Sequence, residues 1–324
     1  MELSSSKILV TGSSGTIGNC LCEALLERDA DVVGVDIKPN LWNEEVHRRT
    51  IYIDLRNPEN LEKLPKDFDM VVHFAANARV YNLVKEPDLA RDNFLILYNV
   101  AEFVRKNNIK RILFGSSREV YGDSGHIIHS EEESFVKNCE STYTATKIAG
   151  EAIIHAYEQC YGIEYVIVRF SNVYGRFDYS DRVVPLFIWK ALKNEDIHIY
   201  GRDKVLDFTY IEDSVDGVVK SLELFETSKN EVYNIASQKG YSIEKVAQLI
   251  IEFTHSKSKL IYETNRTGEV CRFIADISKA NAVLNYYPKT DLRDGINKTI
   301  EWYSPRIKEY ERELSKADVI NSQE

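Results

Sequence analysis

Tyr143 and Lys147 stand four residues apart in Tyr143-Thr144-Ala145-Thr146-Lys147, at the start of a helical pattern. That spacing puts both on one helix face. A tyrosine that gives up its proton can act as a general base, but a free phenol titrates near pH 10. A neighbouring ammonium favours the phenolate and lowers that value. By itself the pair is common, and an exposed amphipathic turn can also carry it. A second polar cluster lies upstream. Residues 115–122, Gly-Ser-Ser-Arg-Glu-Val-Tyr-Gly, follow the apolar run Ile112-Leu113-Phe114, which reads as the end of a buried strand. Two serines, Arg118 and Glu119 are thereby placed where a sheet opens to solvent.

A third motif precedes both. Gly12-Ser13-Ser14-Gly15-Thr16-Ile17-Gly18 has the spacing G-x-x-G-x-x-G between a predicted strand and a predicted helix. A glycine trio alone is also an ordinary tight turn. Directly after the first strand it fits a dinucleotide loop. The turn is tight, the backbone approaches a pyrophosphate, and the helix packs close to the strand. The helix start at Thr16 and Ile17 offers N–H donors and a positive dipole end to phosphates. Asp36 ends the second predicted strand. A carboxylate there accepts from the adenosine ribose and repels a 2'-phosphate, which favours NAD over NADP; Lys38 is a mild contrary sign. Asp54 ends the third strand and suits the adenine amino group or a loop cap. A nicotinamide cation beside Tyr143 would further favour its phenolate, and Lys147 can also hold the nicotinamide ribose.

Strand-like runs at 7–11, 31–36, 50–54, 69–75, 110–116 and 164–170 alternate with helical patterns, notably 89–106 and 142–161. Several are nearly continuous in Val, Ile, Leu and Phe, as in strands buried on both faces of a parallel sheet. The expected class is α/β: a Rossmann-like doubly wound parallel sheet with a smaller C-terminal substrate-binding lobe. Residues 1–172, with about 205–234, are assigned to the NAD domain, and 173–204 with 235–324 to the lobe. A helix at 183–193 and a strand at 196–200 belong to the lobe. The charged end, 304–324, reads as a solvated helix fraying into a disordered tail.

With 324 residues, the chain has ample material for a core. Its formal net charge of -10 argues against nucleic acid or an anionic membrane as the main partner, though a few local donors can still hold a phosphorylated ligand. The five cysteines, Cys20, Cys22, Cys139, Cys160 and Cys271, show no zinc or disulfide spacing. They are expected to be reduced, in a cytoplasmic protein without a metal. The N-terminus lacks a signal-peptide apolar region, and no apolar stretch reaches membrane-spanning length.

TGSSGTIG, Asp36, HFAANA (73–78), SSREVYG (116–122), YTATK (143–147) and RFSNVYG (169–175), in this order, resemble the extended short-chain dehydrogenase/reductase family. Within it they are similar to nucleotide-sugar 4-epimerases of the UDP-galactose 4-epimerase type, over about residues 7–303. The resemblance implies NAD bound tightly and a UDP-sugar in the lobe. It also implies a homodimer through a four-helix bundle of 89–106 and 142–161. It makes Ser117 the hydroxyl on the sugar 4-oxygen, Tyr143 the base and Lys147 its electrostatic partner. Leu55, the segment His73-Phe74-Ala75-Ala76, Asn93 and Phe170 would line the cofactor. Asn172, Val184 and Tyr200 would contact the sugar nucleotide, with Tyr200 against the uracil. Arg266 would hold the diphosphate and Glu269 the uridine ribose; a surface arginine is the plainer reading of Arg266. The implied reaction is C4 epimerisation of a UDP-hexose, UDP-N-acetylhexosamine or UDP-uronate through a 4-keto sugar.

The chain departs from that pattern in places. Leu206 stands where relatives usually have a phosphate-binding arginine, and Arg202, Lys204 and Arg176 are nearby replacements. Phe273 falls where the family gates sugar size; a core phenylalanine is the other reading. Arg118 replaces the aspartate of 4,6-dehydratases, which argues against dehydration. An arginine there would bind an acidic sugar, or else pair with Glu119 or a loop acid. Glu119 is shared with UDP-glucuronate decarboxylases and dehydratases, and the epimerase reading does not require it. A non-catalytic NAD-binding regulator would keep the glycine loop and tend to lose the tyrosine or lysine.

Overall fold

Ile8 and Val10 are buried on one side of the first strand and Leu9 on the other, each within a separate apolar core. The strands at 70–73, 111–117 and 164–170 repeat this two-sided burial through Val72/Val71, Leu113/Ile112 and Val168/Ile167. Such strands are stable only between two helical layers. A computed structural model describes residues 1–265 and 270–322, the last seven as backbone. It builds a seven-stranded sheet in the order Glu231–Ile235, Glu164–Phe170, Arg111–Ser117, Met70–His73, Lys7–Thr11, Asp31–Asp36, Thr50–Tyr52. All six pairings are parallel. The carboxyl ends therefore share one edge, and the strand order reverses beside Lys7–Thr11. Ligands bind at such a crevice in open α/β sheets.

A second sheet faces that edge, in the order Gly240–Ser242, Val205–Tyr210, Arg272–Ala275, Ile128–His129, with Asn172–Tyr174 also on Val205–Tyr210. Val205–Tyr210 thus joins the lobe rather than the large sheet. From 205–234 it is the strand Glu231–Ile235 that completes the large sheet, while the helix Ile211–Glu223 packs against Thr16–Leu26. Ile128–His129, from the first half of the chain, crosses the other way. Buried Asp207 anchors this layer. It accepts from Ser237 N (2.9 Å), Ser237 Oγ (2.7 Å) and Gln238 N (2.9 Å), although desolvation still raises its pKa.

The C-terminal helix, Ile307–Ser322, is not wholly solvated. Tyr310 is fully buried among Tyr179, Trp189 and Tyr303, so an aromatic cluster ties the start of this helix to the lobe. Among the described residues no helix is long and apolar enough to cross a membrane.

Candidate active site

The helix Thr142–Tyr161 begins where Ser141 caps it, its Oγ accepting from Thr144 N at 3.1 Å, and ends at Gly162 in a left-handed conformation. Tyr143 and Lys147 emerge from its first two turns, both buried, at the carboxyl edge of the sheet. Ser117 ends the strand Arg111–Ser117 and hydrogen-bonds Tyr143. Its Oγ also accepts from Glu119 N at 3.2 Å, capping the short turn Arg118–Tyr121. That acceptance leaves the serine proton to point toward a partner in the site. Lys147 Nζ donates to Gly115 O at 2.8 Å and lies 5.8 Å from the Tyr143 ring centroid.

Burial works against both ionisations. Desolvation pushes Tyr143 up to about 12, opposed by the Ser117 hydrogen bond; Glu119 also raises it, while Arg182 and Arg118 lower it. Desolvation lowers Lys147 and the carboxylate of Glu151 offsets part of that fall, leaving it at about 8. Glu151 is one further turn along the same helix face. It accepts from Ser116 Oγ at 2.5 Å and makes a paired contact with buried Arg169, at 2.9 and 2.7 Å. Sequence reasoning missed this pair. The i, i+4, i+8 spacing of Tyr143, Lys147 and Glu151 was the available signal.

The glycine loop lies across the crevice. Gly12 has φ +76°, and a Cβ there would sit 2.9 Å from Ala75 N. A Cβ on Gly18 would sit 2.0 Å from Gly12 O. The tight cradle thus holds a helix N-terminus against the strand and fits a dinucleotide pyrophosphate. Gly15 N donates to Gly12 O at 3.1 Å, and Ile17 lines the adjoining cavity. The Thr16 hydroxyl donates to Phe177 O at 2.9 Å, which fastens the loop to the lobe. Asp36 accepts from Ser14 N and Lys38 N, both at 2.9 Å, so its carboxylate borders the loop. Asp54 is held by Arg56, whose other edge reaches Asp92 at 2.8 Å. Leu55 is buried in the second core, its carbonyl accepting from Asn99.

A cavity of about 350 Å³, lined on the loop side by Ile17, extends into the lobe. Phe74, Ala76, Ser117, Arg118, Tyr143, Lys147, Phe170, Asn172, Val184 and Tyr200 all line it. Ala75 and Asn93 do not. Ala75 N donates weakly to Thr11 Oγ1, and Asn93 is buried between Asn77 and Thr146. His73 bonds Thr11 Oγ1 at 2.7 Å, and burial lowers its pKa to about 3, so it is neutral. Asn172 Nδ2 donates to Asp207 O at 3.0 Å.

The three replacements for the arginine absent at Leu206 separate clearly. Lys204 lines the cavity beside Leu206. Arg202 lies over the Tyr262 ring, and Arg176 is held by Glu23 at 3.0 Å and Glu212 at 3.6 Å. Phe273 is fully buried and outside the cavity lining, stacked on His129 and Tyr121, with the Arg118 guanidinium over its ring. Arg118 pairs with Glu119 at 2.8 Å. Arg266 and Glu269 lie outside the described residues. Two ion pairs absent from the sequence reading, Arg79–Asp181 and Arg182–Asp178, also border the cavity.

Known proteins are similar to this chain in sequence and in fold. The NAD dependent epimerase/dehydratase family matches residues 8–236. An uncharacterized UDP-glucose epimerase of Bacillus subtilis is 33% identical over 92% of this chain and 98% of its own length. The UDP-glucose 4-epimerase of Thermotoga maritima, solved with UDP-glucose, superposes with a TM-score of 0.85 at 28% identity, covering 93% of this chain and 99% of the other. The UDP-glucuronic acid 4-epimerase of Bacillus cereus, solved with UDP-glucuronic acid and NAD, gives 0.85 at 29% identity, covering 94% and 99%. The family match spans more than half of the chain, and the chain belongs to the NAD dependent epimerase/dehydratase family.

Proposed function

We propose that this protein is an NAD-dependent UDP-sugar 4-epimerase. The observation that carries the reading is the convergence of Ser117, Tyr143 and Lys147 in one cavity that Ile17 of the glycine loop also lines. A regulator without catalysis has no use for that convergence. Bound NAD supplies a hydride acceptor that becomes a donor, so the reaction closes without net redox change.

The protein's groups handle the proton. Tyr143, protonated in the bare site, becomes a base only when positive charge compensates its desolvation. Lys147, directed by Gly115 O, supplies part of that charge. Tyr143 then takes the proton from O4 as C4 is oxidised, and Ser117 donates to the developing oxyanion. Once the 4-keto sugar has rotated to present the opposite face of C4 for re-reduction, Tyr143 returns the proton to O4. In this reading Tyr200 takes the uracil and Lys204 the phosphate contact absent at Leu206; both line the cavity.

A cytoplasmic homodimer is part of the reading. Phe94 (36% exposed), Leu95 (41%), Tyr98 (52%) and Tyr161 (53%) leave an apolar face on the helices Asp88–Lys106 and Thr142–Tyr161. Pairing that face with a second copy gives a four-helix bundle, and sedimentation should report two chains.

The decisive experiment incubates NAD-loaded protein with UDP-glucose, UDP-N-acetylglucosamine and UDP-glucuronate and separates the products. A 4-epimer is expected from at least one. Loss of carbon dioxide or water, or no product at all, overturns the reading.

A further inference from the structure

Arg118 and Glu119 are neighbours in sequence, yet the tight turn Arg118–Tyr121 brings their side chains together. Arg118 Nη2 meets Glu119 Oε1 at 2.8 Å, and the two side chains are only 11% and 6% exposed. Phe273 backs the guanidinium, with its ring centroid 5.7 Å away, and is itself pinned by His129 and Tyr121, each 5.6 Å off. The guanidinium therefore has little freedom. Arg118 and Glu119 both line the cavity beside Ser117 and Tyr143. Arg118 Nη1 is buried without a hydrogen-bond partner among the described residues.

A buried N–H with no acceptor is costly, and the cost is removed if a ligand brings one. The sign of the site narrows the ligand. Glu119 balances the Arg118 charge, so an anionic group at Nη1 would also face a desolvated carboxylate. An uncharged oxygen meets the donor without that repulsion. We propose that Arg118, held by Glu119, is a specificity-determining residue whose Nη1 donates to an uncharged oxygen substituent, hydroxyl or amide carbonyl, next to the carbinol that Ser117 and Tyr143 address. This rests on the epimerase reading and narrows it toward neutral sugars.

The test measures affinity and kcat/KM for UDP, UDP-glucose, UDP-N-acetylglucosamine and UDP-glucuronate. It uses NAD-loaded wild type, Arg118→Lys, Arg118→Met and Glu119→Gln. The wild type should prefer a neutral sugar. Arg118→Met should lose about tenfold to a hundredfold on that sugar, with affinity for UDP unchanged. Arg118→Lys should recover only part, because the fixed fork is lost. Glu119→Gln should raise use of UDP-glucuronate relative to the neutral sugars. A loss confined to UDP-glucuronate, a loss shared with UDP, or no loss overturns the proposal. If the wild type binds the sugars but turns none over, the epimerase reading fails, and the same affinities still decide the Arg118 contact. If no UDP-sugar binds, both fail.

Discussion

At the glycine loop the groups offered to a ligand are backbone, and the glycines that shape it fall between Gly12 and Gly18. At the sugar end they are side chains from separated segments: Arg118 and Glu119 after one strand, Asp178 and Arg182 near a lobe helix, Tyr200 and Lys204 around a lobe turn. The first region is a matter of local backbone shape, fixed by which residues lack a Cβ. The second is a matter of tertiary assembly and charge pairing. The two should therefore fail differently when mutated: the loop by exclusion of the cofactor, the sugar end by graded loss of substrate affinity.

The largest effect is expected at Gly18. In Gly18→Ala the new methyl would meet Gly12 O at 2.0 Å, so the loop must open. Such overpacking costs about 1–3 kcal/mol in ordinary cores, and here it falls on the phosphate cradle. The variant should purify without NAD and without epimerase activity while keeping its far-ultraviolet circular dichroism. Full NAD content in this variant would remove the argument that backbone approach governs the loop.

A smaller effect belongs to Glu151, one turn beyond Lys147 on the same helix. Burial lowers Lys147 and the Glu151 carboxylate resists that fall, leaving it at about 8. In Glu151→Gln the lysine pKa drops further, and Lys147 loses its proton at lower pH. The alkaline limb of the kcat/KM profile should shift toward lower pH, with activity at acidic pH less affected. An unmoved limb would mean that Glu151 acts only through Arg169 and Ser116 as a structural tie. At the sugar end, Lys204→Met should weaken UDP and UDP-sugars alike, by roughly tenfold for one charged contact, and leave NAD content intact. Unchanged UDP affinity would place the phosphate contact elsewhere.

The contrast also explains what could be read in advance. The strand bounds 7–11, 31–36 and 164–170 and the helix 142–161 coincide with the structure, because apolar runs and caps are local signals. The layer of Val205–Tyr210 is not legible in the sequence because its apolar residues suit either sheet, and only pairing with Asn172–Tyr174 and Arg272–Ala275 decides. The burial of Tyr310 is not legible in a charged helix because two of its aromatic partners, Tyr179 and Trp189, are more than a hundred residues away. The glycine loop, Ser117, Tyr143 and Lys147 were legible as short motifs. The pair Arg118–Glu119 was only one of two alternatives, since adjacent residues in regular structure do not face each other and a short tight turn is hard to foresee.

The smallest effect tests whether Tyr143 itself depends on local structure, as the glycine loop does. Ser141 caps the helix that carries Tyr143, accepting from Thr144 N. Its hydroxyl is also 2.9 Å from Thr144 Oγ1, so two polar groups are satisfied by one side chain. Ser141→Ala should cost about 1 kcal/mol of stability, the usual worth of such a cap. Tyr143 lies in the first turn, where the loss of a cap is felt most, so fraying there would loosen its contact with Ser117. Thermal melts should show a modest fall, and kcat should drop while KM for the UDP-sugar holds. If stability falls and kcat does not, the tyrosine is held by its buried neighbours Leu83 and Ala90 rather than by the cap.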